Sequence, residues 1–151
     1  MRQAAITGHT SGLGAQIKDY LESHNYTVQG YSLSSGYDLR DYSQVSKMLE
    51  QTKDFDLFVN CAKPDYAQSQ ILYRLVKSHF KGTILNIGTP VIHQSSIWTD
   101  LGLLEYMTQK TALFHAHQTL SKLYLYRMIM WEPQHARSHE YVNQCLDEFK
   151  L

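Results

Sequence analysis

Eight residues near the amino end constrain this chain more than any others: Thr7-Gly8-His9-Thr10-Ser11-Gly12-Leu13-Gly14. They follow a short apolar run, residues 3–7, and lead into Leu13, Ile17, Tyr20 and Leu21, which recur at helical spacing. Strand, glycine turn and helix in that order let the backbone come close to an anionic ligand. Glycine reaches positive φ without a Cβ clash, and the unpaired N–H groups at a helix start supply positive potential. A glycine pattern alone also marks ligand-free turns, so it is the position, straight after the first strand, that favours a pyrophosphate cradle.

The rest of the chain alternates in the same way. Short apolar runs predict strands over residues 26–31, 37–39, 55–60, 83–87 and 126–131. Between them, Ser43 reads as the N-cap of a helix carrying Val45, Met48 and Leu49. Ile71, Leu72, Leu75, Val76 and Phe80 mark a helix over 66–80, and further helices are expected over 103–123 and, with Val142, Cys145, Leu146 and Phe149 on one face, over 136–150. Short buried strands alternating with helices indicate a parallel sheet covered on both faces, and right-handed crossovers make it a doubly wound α/β sheet. With no linker, repeat or charge block, residues 1–151 are expected to form a single domain.

Charge narrows the partners. Fourteen Lys and Arg against fourteen Asp and Glu leave no basic field to hold a phosphate backbone or an anionic bilayer, so neither nucleic acid nor membrane is expected. No apolar run approaches the ~20 residues of a membrane span, and the amino end lacks a signal-peptide core, which predicts a soluble, cytoplasmic protein. Cys61 and Cys145 lack metal or disulfide spacing and read as reduced thiols. His135 and His139 stand four apart without a third ligand, so no metal site is expected. His115 and His117 read as surface or interface residues and His9 as a turn residue, while Trp98 and Trp131 suit pocket or core equally.

Tyr-x-x-x-Lys occurs twice, where eleven Tyr and nine Lys would give roughly 0.7 by chance. Each pair shares a helix face. Tyr73 and Lys77 fall mid-helix before the fifth expected strand and read as a surface pair. Tyr106 and Lys110 follow that strand and open the next helix, near the carboxyl edge where open α/β sheets bind ligands. A phenol has a pKa of about 10, and a cation one turn away favours its phenolate, as proton exchange with a carbonyl oxygen requires.

With these residues in place the chain resembles the short-chain dehydrogenase/reductase family. Thr-Gly-x-x-x-Gly-x-Gly stands at its usual position, Asp38-Leu39 is similar to the family's adenine-contacting pair, and Val59-Asn60-Cys61-Ala62-Lys63 resembles its Asn-Asn-Ala-Gly with Lys63 in place of the last glycine. The resemblance implies a Rossmann-like sheet of order 3-2-1-4-5-6, an NADP or NAD cofactor and hydride transfer to or from a small carbonyl or alcohol substrate. It assigns Tyr106, Lys110 and Thr89 to catalysis, with Ser95 or Ser96 as alternatives to Thr89 because the interval to Tyr106 is long. It assigns Gly8, Thr10, Ser11, Gly12, Leu13, Gly14, Ser32, Asp38, Leu39, Asn60, Ala62 and Lys110 to the cofactor. After the second strand Ser32 and its neighbours offer neither the acid that binds a ribose 2′-OH nor an Arg for a 2′-phosphate, which leans to NADP.

The resemblance covers residues 1–133 and departs in two ways. The segment around 66–80 is short, so the family's proton-relaying Asn has no evident counterpart, and residues 134–151 omit the final strand and substrate-covering loops, making this an unusually short member. A non-catalytic dinucleotide-binding module, serving as sensor or assembly partner, is the alternative reading. Leu113, Phe114, Ala116, Leu120 and Tyr124 give the Tyr106/Lys110 helix apolar surface, and the family's habit implies a homodimer or homotetramer through it.

Overall fold

The computed structural model describes residues 1–10, 12–62, 64–94, 101–134 and 137–151. Its frame follows from strands that are apolar on both sides. Ala4, Ala5 and Ile6 of β1 (Arg2–Thr7), Leu57, Phe58 and Val59 of β3 (Leu57–Asn60), and Ile84 and Leu85 of β4 (Thr83–Ile87) have no exposed surface. Such strands need a layer on each face. With β2 (Tyr26–Tyr31) and β5 (Met128–Trp131) they form one parallel sheet of order β2-β1-β3-β4-β5.

Alternation along the strands sorts the helices. Ala4, Ile6, Leu57, Val59, Leu85 and Ile87 pack with Leu13, Ile17 and Leu21 of α1 (Gly12–Ser23) and Val142 and Leu146 of α5 (His139–Phe149). Ala5, Phe58 and Ile84 point the other way. They meet Val45 and Met48 of α2 (Tyr42–Thr52), Ile71, Leu72 and Leu75 of α3 (Ala67–Lys77), and Leu113 of α4 (Leu101–Leu120). The fold is therefore the doubly wound α/β domain expected. Because β1 lies between β2 and β3, the chain leaves it in both directions, which opens a crevice at its carboxyl end.

Two local expectations are corrected. Residues 37–39 form no strand. A 3₁₀ turn, Leu33–Ser35, closes on Gly36 at φ +90°, and Asp38 then folds into local bonds: its N–H donates to Gln44 Oε1 at 2.7 Å and its Oδ1 accepts from Arg40 N and Nε at 3.0 and 3.2 Å. A short carboxylate that satisfies nearby N–H groups competes with strand pairing. The expected order 3-2-1-4-5-6 thus loses its first member and otherwise stands. The cap of α2 is Asp41 rather than Ser43: its carboxylate accepts from the Ser43 hydroxyl at 2.8 Å and from Gln44 N and Ser43 N at 3.3 and 2.9 Å, and these bonds hold it below the usual Asp range.

Candidate active site

Thr7 ties two strand ends together where the crevice opens. Its Oγ1 accepts from Cys61 N at 2.9 Å and Ala62 N at 3.0 Å and donates to Val59 O at 3.4 Å, bringing the turn after β3 against the glycine turn. Gly8 has φ +71°, and a Cβ on it would lie 3.2 Å from Ala62 Cα. A Cβ on Gly14 would lie 1.8 Å from Gly8 O, so α1 starts closely packed on the turn. Gly12 differs: at φ +57° it has no atom within 4 Å of its Cβ position and faces open space at the amino end of α1, whose first turn carries no acid. Open space beside a glycine and a helix amino end suits a pyrophosphate, so the residues present fit a dinucleotide.

The opening is a cleft of about 340 Å³. It gathers Gly8, Gly12, Leu13, Gly14, Ala62, Thr89, Tyr106 and Lys110 from the expected set, and adds Cys61, Pro133 and Arg137. Thr89, buried at the end of β4, accepts from Val91 N at 3.4 Å to start a 3₁₀ turn, Pro90–His93, and lines the cleft with the Tyr106 phenol. Burial pushes that phenol above its ordinary pKa, while Thr89 and the Arg137 cation pull it down and Cys61 pushes it up; burial prevails. The expected net lowering is thus absent in the protein alone, and Tyr106 is a neutral proton donor at pH 7.

Lys110 is only 3% exposed. Its ammonium sits 5.8 Å from the Tyr106 ring centroid and donates to Gln68 Oε1 at 2.7 Å and Ile87 O at 2.9 Å. Gln68, which the sequence reading missed, is the hub. Its Nε2 donates to Asn60 O at 2.8 Å and Ile87 O at 3.0 Å. Asn60 Nδ2 donates to Gln68 O at 2.9 Å and to Asn86 Oδ1 at 3.0 Å, and Asn86 Nδ2 lies 3.1 Å from His117 Nδ1. His117, expected at the surface or an interface, is half-buried: it accepts from Asn86, and burial lowers its pKa against a smaller upward pull from Glu132. Fixed amides of this kind hold a buried cation in one place.

Other expected residues lie elsewhere. Asn60 is fully buried behind the cleft and turns its amide into this network. Ser32, Thr10 and Asp38 stand outside the cleft, with Ser32 Oγ 2.8 Å from Ser34 Oγ and Asp38 held by Arg40 below the usual Asp range. Leu39 is buried and lines a larger groove, about 1010 Å³, between α2 and α3. Ser11, Lys63, Ser95, Ser96, Trp98 and His135 lie outside the described residues. The His9 ring packs on Gly30, where a Cβ would come within 2.2 Å of it, and burial lowers its pKa. Trp131 is core, edge-on to Phe149. His93 and Glu132, a pair at 2.7 Å, were also unforeseen. Tyr73 is exposed, with Lys77 Nζ 5.9 Å from its ring, as a surface pair should be. Leu113, Ala116, Leu120 and Tyr124 pack onto the sheet, and Phe114 meets the His93 ring, so the apolar surplus of α4 falls on its first turn, at Leu101 and Leu104. Among the described residues no cluster could hold a metal ion, and no helix is long and apolar enough to cross a membrane.

No family model matches the sequence, and no curated protein does either. Solved structures do. A small-chain dehydrogenase superposes with a TM-score of 0.80 at 16% identity, over 97% of this chain and 88% of that one. A small-chain dehydrogenase in complex with NADPH gives 0.73 at 18% identity, over 99% and 77%. FolM alternative dihydrofolate reductase 1 from Brucella suis, in complex with NADP, gives 0.76 at 14% identity, over 99% and 88%. The chain therefore has the fold of the short-chain dehydrogenases/reductases.

Proposed function

We propose that the protein is an NAD(P)-dependent oxidoreductase acting on a small carbonyl or alcohol. One observation carries this reading: Thr89 and Tyr106 line one cleft with Gly12 and the start of α1 at the carboxyl edge of the sheet. A nicotinamide cofactor, when bound, supplies or accepts the hydride. The glycine turn and the amino end of α1 hold its pyrophosphate, and Ala62 borders the ribose. Tyr106 gives its proton to the carbonyl oxygen in reduction and takes it back in oxidation, and the Thr89 hydroxyl orients that oxygen. Lys110 holds positive charge beside the phenol and favours the phenolate as it forms.

No acid stands among Ser32, Leu33, Ser34 and Ser35 after β2 to repel a 2′-phosphate, which supports NADP over NAD. The protein is expected to pair with a second copy through the exposed first turn of α4, where light scattering should give a dimer or tetramer. The test of the main reading is Tyr106→Phe. Turnover of NADPH with a carbonyl panel should fall by about 10²–10⁴-fold while NADPH affinity stays within about twofold. Full activity in the variant would remove Tyr106 from the chemistry. The alternative is a non-catalytic dinucleotide-binding module, favoured by the burial of Asn60 away from the cleft, and it predicts NADPH binding without turnover by the wild type.

A further inference from the structure

The cleft carries charge of one sign. Among the described residues that line it there are two cations, Lys110 and Arg137, and no Asp or Glu. The two cations differ. The Lys110 ammonium is buried and donates inward, to Gln68 and to Ile87 O. Arg137 comes from the short connection 132–138 between β5 and α5 and is only partly buried. Its Nη1 donates to Gln134 O at 3.2 Å, a neighbour three residues back; the side chain lines the cleft, and a guanidinium carries five N–H donors.

We infer that Arg137 anchors a carboxylate on the substrate, so that the site reduces small oxo acids in preference to neutral ketones and aldehydes. This rests on the oxidoreductase reading for its chemistry but on Arg137 for its selectivity. Three observations favour a substrate anion over the cofactor's pyrophosphate. The glycine turn and the amino end of α1 already supply donors to the pyrophosphate. Arg137 lines the cleft with Tyr106, the reacting group, and its charge is felt by that phenol. The cleft is small, at about 340 Å³, and a carboxylate is the small anion that matches the guanidinium fork. In the reaction itself the carboxylate is a spectator. Hydride from reduced nicotinamide forms the new C–H bond, the carbonyl π pair moves to oxygen, and that oxygen takes the Tyr106 proton, giving a hydroxy acid and oxidised nicotinamide.

The test uses matched pairs, levulinate with levulinamide and pyruvate with pyruvamide, titrated calorimetrically into the full chain saturated with NADP⁺, which has no hydride to give. The acids should bind about tenfold or more tightly than the amides. Arg137→Gln should erase that preference, Arg137→Lys should keep part of it, and NADP⁺ affinity should stay within about twofold in both. Equal binding of acid and amide, binding of neither, or a preference that survives Arg137→Gln overturns the inference. So does a loss of NADP⁺ affinity in Arg137→Gln with the preference intact, which would assign the cation to the pyrophosphate. The two readings fail separately. If the wild type binds NADP⁺ and the acids but never turns over with NADPH, the enzyme reading falls and the anion site stands; turnover of acids and amides at equal kcat/KM does the reverse.

Discussion

Replacing Gln68 with leucine, close in volume, should unseat Lys110 without opening a large cavity. The change removes the acceptor that Lys110 Nζ meets at 2.7 Å and the donor that reaches Asn60 O at 2.8 Å and Ile87 O at 3.0 Å. Ile87 O keeps the Lys110 ammonium at 2.9 Å. Losing a hydrogen bond to a charged group costs about 1.5–3 kcal/mol and each neutral bond about 1 kcal/mol, so the loss should come to roughly 3–5 kcal/mol. For a chain of this length that lowers Tm by about 10 °C, at about 2–4 °C per kcal/mol. Gln70→Leu is the control, because Gln70 is exposed on the same helix and should cost under about 0.5 kcal/mol. Thermal and urea unfolding of both variants decide the matter. If Gln68→Leu melts within about 2 °C of Gln70→Leu, the network carries no stability and the account of Lys110 is wrong.

Other expectations concern the turn and the phenols. Gly14→Ala puts a Cβ 1.8 Å from Gly8 O, a backbone atom that cannot step aside, and should destabilise by about 3 kcal/mol or more. Gly12→Ala meets no atom but keeps φ +57°, so it should cost only about 1–2 kcal/mol while weakening NADPH binding. Denaturant unfolding with NADPH titration separates the two. Burial pushes Tyr31 up to about 12 and raises Tyr20, Tyr26 and Tyr124 as well. The folded chain thus keeps phenol protons that the unfolded chain, with pKa values of about 10, gives up first. The stability these protons confer is complete below pH 10 and declines as pH rises through 12, which Tm and phenolate absorbance followed together should show.

The sequence makes the frame legible because buried strands and amphipathic helices write periodic patterns. Phe58 and Ile84 sit in short apolar runs, and Ile71, Leu72 and Leu75 repeat at helical spacing. Thr89, Tyr106 and the glycine turn were legible by their order along the chain. The hub was not, since Lys110 and Gln68 are 42 positions apart and Asn86 and His117 are 31 apart, and no local pattern links such pairs. One signal did exist. Gln68 occupies the same stripe as Ile71, Leu72 and Leu75, and a polar residue on an apolar stripe must find partners in the interior. The strand expected at residues 37–39 failed for the opposite reason, because Asp38 had local donors to satisfy.

That missing strand leaves β2 at the margin of the sheet, with β1 on one side and no strand on the other among the described residues. An unpaired margin is a template: its free N–H and C=O groups run parallel to the sheet plane and accept a further segment in register. Here the template adjoins the loop from Gly36 to Asp41, on the far side of β1 from Tyr106 and Lys110. A strand grafted into that loop would widen the sheet without crossing the cleft, which makes the margin a natural place for enlarging this small scaffold.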